Sequence, residues 1–156
     1  MAAVKPIPTG FHSVTPYLRV KGAAQALEFY RQALGALERF RMPMPDGKIG
    51  HAEIVVGDSM IMLADESPEM NIKGPQTLGG TSVSLMVYVA DSDAAFKRAV
   101  DAGAKVLRPV VDQFYGDRSG TVLDPFGHEW TLSTHKEDVP AAEMDKRAKE
   151  AFANMG

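Results

Sequence analysis

A chain of 156 residues, 45% hydrophobic and 24% charged, fits one globular domain, or two small modules sharing a core. Its formal net charge of -3 offers no basic footprint for nucleic acid or an anionic membrane, and without cysteine it forms no disulfide, zinc–thiolate site or thiol nucleophile. No segment approaches a membrane span, and the opening MAAVKPIPTGFHS lacks the apolar run of a signal peptide, so the expectation is a soluble cytoplasmic protein with neither nucleic acid nor membrane as partner.

In chain order, SVTPYLRV (13–20) reads as a strand and GAAQALEFYRQALG (22–35) as a helix with Ala23, Leu27, Tyr30 and Leu34 on one face, stopped by Gly35. LERFRMP, HAEIVVGD and SMIMLAD follow as strands. The Pro-, Gly- and polar-rich ESPEMNIKGPQTLGG (66–80) suits a linker or a loop over a cavity. TSVSLMVYVAD (81–91) and SDAAFKRAVDAG (92–103) then repeat the strand and helix, with Asp91 as N-cap, Phe96, Ala99 and Val100 inward, and Gly103 as stop. KVLRPVV, SGTVLDP and HEWTLSTH complete a second set of strands. After His135 the tail places Met144, Ala148, Ala151 and Met155 at helical spacing, a stripe that packs on the body or on a partner subunit.

Val20 and Val89 are 69 positions apart and Gly35 and Gly103 are 68 apart, so strand, helix and stop recur in register. The chain therefore reads as α+β, with a first β-α-β-β-β module over 1–65, a linker or cavity loop over 66–80, a second module over 81–135 and a helical tail over 136–156.

The paired modules, YLRV followed by ALEFYRQALG, and GDRSGTVLDPFGHEWTLSTH together resemble the vicinal oxygen chelate superfamily, and most closely its PhnB-like, glyoxalase/bleomycin-resistance branch, over roughly residues 11–140. The resemblance implies two curved mixed sheets forming a cup, a homodimer contributing to it, and, in the metalloenzymes, ligands on the first and last strands of each module. Matching TPYLRV, SLMVYVAD and DPFGHEWTL to those strands puts the ligand positions at Thr15, Met62, Ser84 and Thr131, and the repeat agrees, since Thr15 to Ser84 and Met62 to Thr131 both span 69 positions. Thioether and neutral hydroxyls are poor donors for a catalytic divalent ion, so no metal is expected; a divalent metal held elsewhere is the alternative.

Strand alternation sets His128 and Trp130 on one side of the closing strand and Glu129, Thr131 and Ser133 on the other. If Thr131 faces the cup, Glu129 faces it or its rim, and His128 belongs to the turn made by Asp124, Pro125 and Gly127. His51 and Glu53 alternate onto one face of HAEIVV and are the candidate acid/base pair. Thr15, Tyr17, Met62, Ser84, Met86, Tyr115 and Thr131 are expected to line a pocket for a planar or largely apolar molecule. Arg118 is expected to pair with Asp117 or Asp124, or to orient a ligand carboxylate. His12 and His135 have no evident partner and default to the surface.

These readings converge on a metal-free, homodimeric small-molecule-binding protein, with sequestration of an antibiotic or other toxic compound as the form such binding takes in bleomycin-resistance proteins. Two alternatives stand beside it: a lyase, isomerase or dioxygenase of the same superfamily working through His51 and Glu53, and a non-catalytic structural or regulatory module whose cup is filled by its own side chains.

Overall fold

The computed structural model describes residues 2–156. In chain order its elements are β1 (Tyr17–Val20), α1 (Ala23–Leu34), β2 (Leu37–Pro43), β3 (Ile49–Val56), β4 (Ser59–Asp65), a 3-10 turn (Pro68–Met70), α2 (Pro75–Leu78), β5 (Ser84–Tyr88), α3 (Ser92–Asp101), β6 (Lys105–Asp112), β7 (Asp117–Leu123), β8 (Glu129–His135) and α4 (Ala141–Ala153). The strands make two four-stranded mixed sheets of the same order, β1-β4-β3-β2 and β5-β8-β7-β6. Within each, the outer pair β1/β4 or β5/β8 is parallel and the remaining pairs are antiparallel. Tyr17 opposite Met62 and Met86 opposite Thr131 are equivalent rows of the two sheets, which places the duplication read in the sequence on the backbone itself. The fold is α+β, as expected.

Local chemistry sets the element ends. β1 begins at Tyr17 rather than Ser13 because Pro16 has no N–H to give a ladder, although its carbonyl still accepts from Met62 N at 2.9 Å. Gly22 gives α1 no side-chain cap; instead the Asp65 carboxylate, reaching back from β4, accepts from Gly22 N and Ala23 N at 2.8 and 3.0 Å, and its other oxygen accepts from Ile49 N at 2.7 Å. Gly35 closes the helix in the left-handed region, with φ 65° and its N–H on the Tyr30 carbonyl. Asp91 caps α3 through Ala94 N at 3.0 Å, as the sequence predicts. The end of α3 falls at Asp101, with Gly103 just beyond it at φ 120°.

One face of each sheet is covered by helix and the other is open. Ala52, Ile54, Val56, Ile61 and Leu63 of the first sheet bury against α1, and Val122, Trp130 and Leu132 of the second join the same core. The two modules meet through α1 and α3 and through an aromatic cluster in which Tyr30 lies 5.4 Å from Trp130 and 6.2 Å from Phe126, ring centre to ring centre. Arg98 of α3 donates to the last carbonyls of α1, at 2.6 Å to Gln32 and 3.3 Å to Arg31, where a cation also complements the helix dipole. The tail helix α4 has no fully buried residue; Arg147 ties it to Glu137 and to the Phe114 carbonyl, and Phe152 stacks edge-on against Phe114. Among the described residues, no helix is long and apolar enough to cross a membrane.

Candidate functional site

Cross-strand partners point to the same side of a sheet, so the row Phe40, Glu53, Met62 and Tyr17 lies together on the open face of the first sheet. His51, two positions before Glu53, shares that face. Tyr17 Oη lies 2.7 Å from His51 Nδ1, and His51 Nε2 lies 3.1 Å from Glu53 Oε1. An ionised carboxylate only accepts, so a neutral His51 carries its proton on Nε2, and its Nδ1 lone pair receives the Tyr17 hydroxyl. The result is a carboxylate–imidazole–phenol chain whose His51 and Glu53 side chains are each 23% exposed. The Tyr17 and Phe40 rings flank the imidazole at 5.4 and 6.1 Å, and the Arg19 guanidinium sits 4.1 Å from the centre of the Tyr17 ring. This arrangement can hold a proton on the phenol, take one up at the imidazole, and present aromatic and thioether surface beside both.

The second sheet carries different chemistry at the equivalent places. Its row Met86, Thr131, Thr121 and Arg108 matches Tyr17, Met62, Glu53 and Phe40, and Ser119 stands where His51 does. Thr121 and Thr131 share a 2.8 Å hydrogen bond, and Arg108 pairs with Glu129 at 3.2 Å. Ser84, Met86, Tyr88, Glu129 and Thr131 all lie on the open side, Glu129 included, as strand alternation predicts.

Of the family's four ligand positions, Thr15 precedes β1 and donates its hydroxyl to the His12 carbonyl at 3.1 Å, while Thr131 is engaged with Thr121. Met62 brings only a thioether and Ser84 a neutral hydroxyl. Such a set does not fit a divalent ion that works as a Lewis acid, and among the described residues no three His, Asp or Glu side chains come together to hold one.

Several other candidates lie away from this face. Tyr115 is in the turn before β7, edge-on to Phe114 at 5.3 Å. Arg118 points to the helix side, where Asp93 holds it at 2.7 and 3.0 Å and Asp112 at 3.3 Å, and these carboxylates raise its pKa further. The expected partners Asp117 and Asp124 are both taken elsewhere. Asp124 accepts from Tyr30 Oη, Trp130 Nε1, Phe126 N and His128 N, and Asp117 accepts from His135. His135 thus has partners after all, with Asp138 on its other nitrogen at 2.8 Å. His128 stays in the turn, its Nε2 donating to the Arg19 carbonyl at 2.9 Å. Sequence reasoning passed over Phe40, although its parity with the β3 face was available from the strand pattern. It also passed over Arg19, whose stacking on Tyr17 depends on a side-chain conformation that no spacing reveals.

Comparison with known proteins agrees with this architecture. A family model described as the Glyoxalase/Bleomycin resistance protein/Dioxygenase superfamily matches residues 10–132. A protein of Mycobacterium tuberculosis (strain ATCC 25618 / H37Rv) is 42% identical over 135 residues, covering 85% of this chain and 79% of its own. TioX from Micromonospora sp. ML1 superposes with a TM-score of 0.65 at 26% identity, covering 80% of this chain and 98% of that one. The PhnB protein from Bacillus cereus, at 17% identity and a TM-score of 0.63, covers 79% of this chain and 99% of that one and shares the fold. With its duplicated β-α-β-β-β sheets and a family match over most of its length, the chain belongs to the glyoxalase/bleomycin resistance protein/dioxygenase superfamily.

Proposed function

We propose that this protein binds a small planar or largely apolar molecule on the open faces of its sheets, without a divalent metal, and does so as a homodimer. The observation that carries the reading is the pairing of a poor metal-donor set with exposed soft surface. Tyr17, Phe40, Met42, Met86 and Tyr88 are 39 to 64% exposed on the same faces that hold Met62, Ser84 and Thr131, and Thr15 lies just before β1. Aromatic and thioether groups adapt to a flat ligand, and Thr131 and Ser84 supply polar anchors. Sequestration of an antibiotic or other toxic compound in the cytoplasm is the biological form that follows from it.

Elemental mass spectrometry on protein purified without chelator, and again after incubation with manganese, iron, nickel or zinc and desalting, is expected to find near-zero occupancy. Thermal-shift screening of planar aromatic compounds against that metal-free protein is expected to find ligands whose stabilising effect Phe40→Ala and Met86→Ala reduce. Stoichiometric retention of one metal overturns the metal-free reading, and binding indifferent to both substitutions moves the ligand off these faces.

The hydrogen-bonded chain Glu53–His51–Tyr17 favours a second reading, a glyoxalase-type lyase, isomerase or dioxygenase that uses it for proton transfer. In that case His51→Ala and Glu53→Gln abolish turnover of a substrate they still bind. Turnover that survives both changes removes the enzyme assignment.

A further inference from the structure

Where the two modules adjoin, β1, the segment 73–83 and His128 border an open cavity of about 720 Å³. Its lining contains two basic side chains, Arg19 and Lys73, and no carboxylate, on a chain whose formal net charge is -3. Among the described residues neither cation makes an ion pair and the Arg19 side chain donates no hydrogen bond, whereas Arg31, Arg41, Arg108, Arg118 and Arg147 each rest on a carboxylate. Arg19 is half-buried with its guanidinium carbon 4.1 Å from the centre of the Tyr17 ring, and its N–H groups are free to meet a ligand. The same cavity has an apolar side: Leu78 and Val83 are 65% and 63% exposed within its lining, next to Leu85 and Pro75.

The wall is built rather than loose. Glu66, buried at the start of the linker, accepts from Gly74 N at 2.8 Å and from the Thr77 hydroxyl at 2.7 Å, so both carboxylate oxygens fix the segment that carries Lys73. Glu66 faces the neighbouring cleft with Lys21 and Lys48 rather than this cavity. Gly74 lies so close to β1 that a Cβ there would stand 2.9 Å from the Arg19 carbonyl oxygen, and His128 holds that same carbonyl from the other module. Both cations are thereby held on backbone whose position is determined.

We infer that this cavity is a binding site for a small organic carboxylate with an apolar body, its anion gripped by Arg19 and Lys73 and its body laid on Leu78, Val83 and Leu85. A guanidinium fork matches a carboxylate geometrically, and an anion entering a recess of positive sign with apolar walls meets a stronger field than at an open surface. The site is separate from the open face of the first sheet, with which it shares only the Tyr17–Arg19 edge.

The test compares phenylacetate with its uncharged isostere phenylacetamide by ¹⁵N-resolved NMR titration of the full chain. Phenylacetate is expected to bind about tenfold more tightly or better, to lose affinity as salt rises, and to shift the amides of Leu78–Val83. Lys73→Gln, at an exposed position, is expected to fold normally and weaken phenylacetate about fivefold, and Arg19→Gln to weaken it further while leaving phenylacetamide unchanged. Equal affinity for acid and amide, no loss in either variant, or no binding up to about 10 mM overturns the inference. Shifts confined to the amides of β2 and β3 also overturn it, and assign the probe to the open face instead.

Discussion

Asp124 shows how much one buried side chain settles. Its two oxygens take four donors, at 2.6 Å from Tyr30 Oη, 2.9 Å from Trp130 Nε1, 2.8 Å from Phe126 N and 3.0 Å from His128 N. Burial, and then the adjacent Asp124 charge, push the Tyr30 phenol well above its usual range, so it remains a donor at any working pH. Tyr30→Phe leaves this carboxylate short of a partner and is expected to cost about 1–3 kcal/mol in urea unfolding; an unchanged midpoint would show that water replaces the hydroxyl. In the sequence Asp124 reads as part of a turn or as a partner for Arg118, because Tyr30, which it binds, is 94 positions away. His135 carries the contrasting case of a titrating residue. Hydrogen bonds to Asp138 and then Asp117 raise its pKa above the ordinary imidazole value. The stabilisation it provides is therefore complete below about pH 6.5, where the unfolded imidazole is also charged, and is lost as pH rises through the raised folded value. His135→Gln is expected to lower stability at pH 5.5 and to approach wild type at pH 9, read from urea midpoints at about those two pH values. A deficit of equal size at both would assign the residue a packing role.

Elements meet at equally specific points. Gly120 lies in β7 beneath α3, and a Cβ there would come within 2.8 Å of the Phe96 ring and of Val110. Gly120→Ala is expected to push α3 off its sheet at a cost of about 1–3 kcal/mol, with a loosened aromatic near-ultraviolet signal; full stability would mean that the Phe96 ring simply swings away. The three longer helices and most strands were legible because their apolar periods differ, 3.6 against 2, and because Gly35 and Asp91 mark ends chemically, whereas the short α2 lies inside the stretch read as linker or loop. Ends set by distant partners were not legible. β3 starts at Ile49 because Asp65 accepts its N–H, and β1 is cut short at Pro16. The same limit applies to the site. His51 and Glu53 share a face by alternation alone, but Tyr17 reaches them across β4, a contact that needs the strand order. Arg118 was matched to its neighbours in sequence, whereas its place in β7 turns it towards Asp93 on α3.

The whole molecule ends in four sheet edges, and they are not alike. β2 carries Glu38, Arg39, Arg41 and Pro43, and β6 carries Lys105, Arg108, Pro109 and Asp112; charge and proline blunt such edges against further pairing. β5 reads SLMVY, without a charge or a proline, and Met86 and Tyr88 beside it are 48% and 64% exposed. β1 is also an outer strand, with Tyr17 on its open face and Val14 just before it 86% exposed. An uncharged hydrophobic edge left in water invites another strand, and the partner with a matching bare edge is a second copy of the chain. The proposed homodimer therefore predicts that light scattering after gel filtration gives twice the chain mass at tens of micromolar, and that Tyr88→Lys, which puts a charge on the bare edge without touching the core, weakens association about tenfold or more. Binding of a planar ligand should fall in parallel, because the open faces would no longer be brought together. A wild-type chain that stays monomeric under those conditions would refute the shared site, and would leave the open face of the first sheet, with Tyr17, His51 and Glu53, to bind its ligand alone.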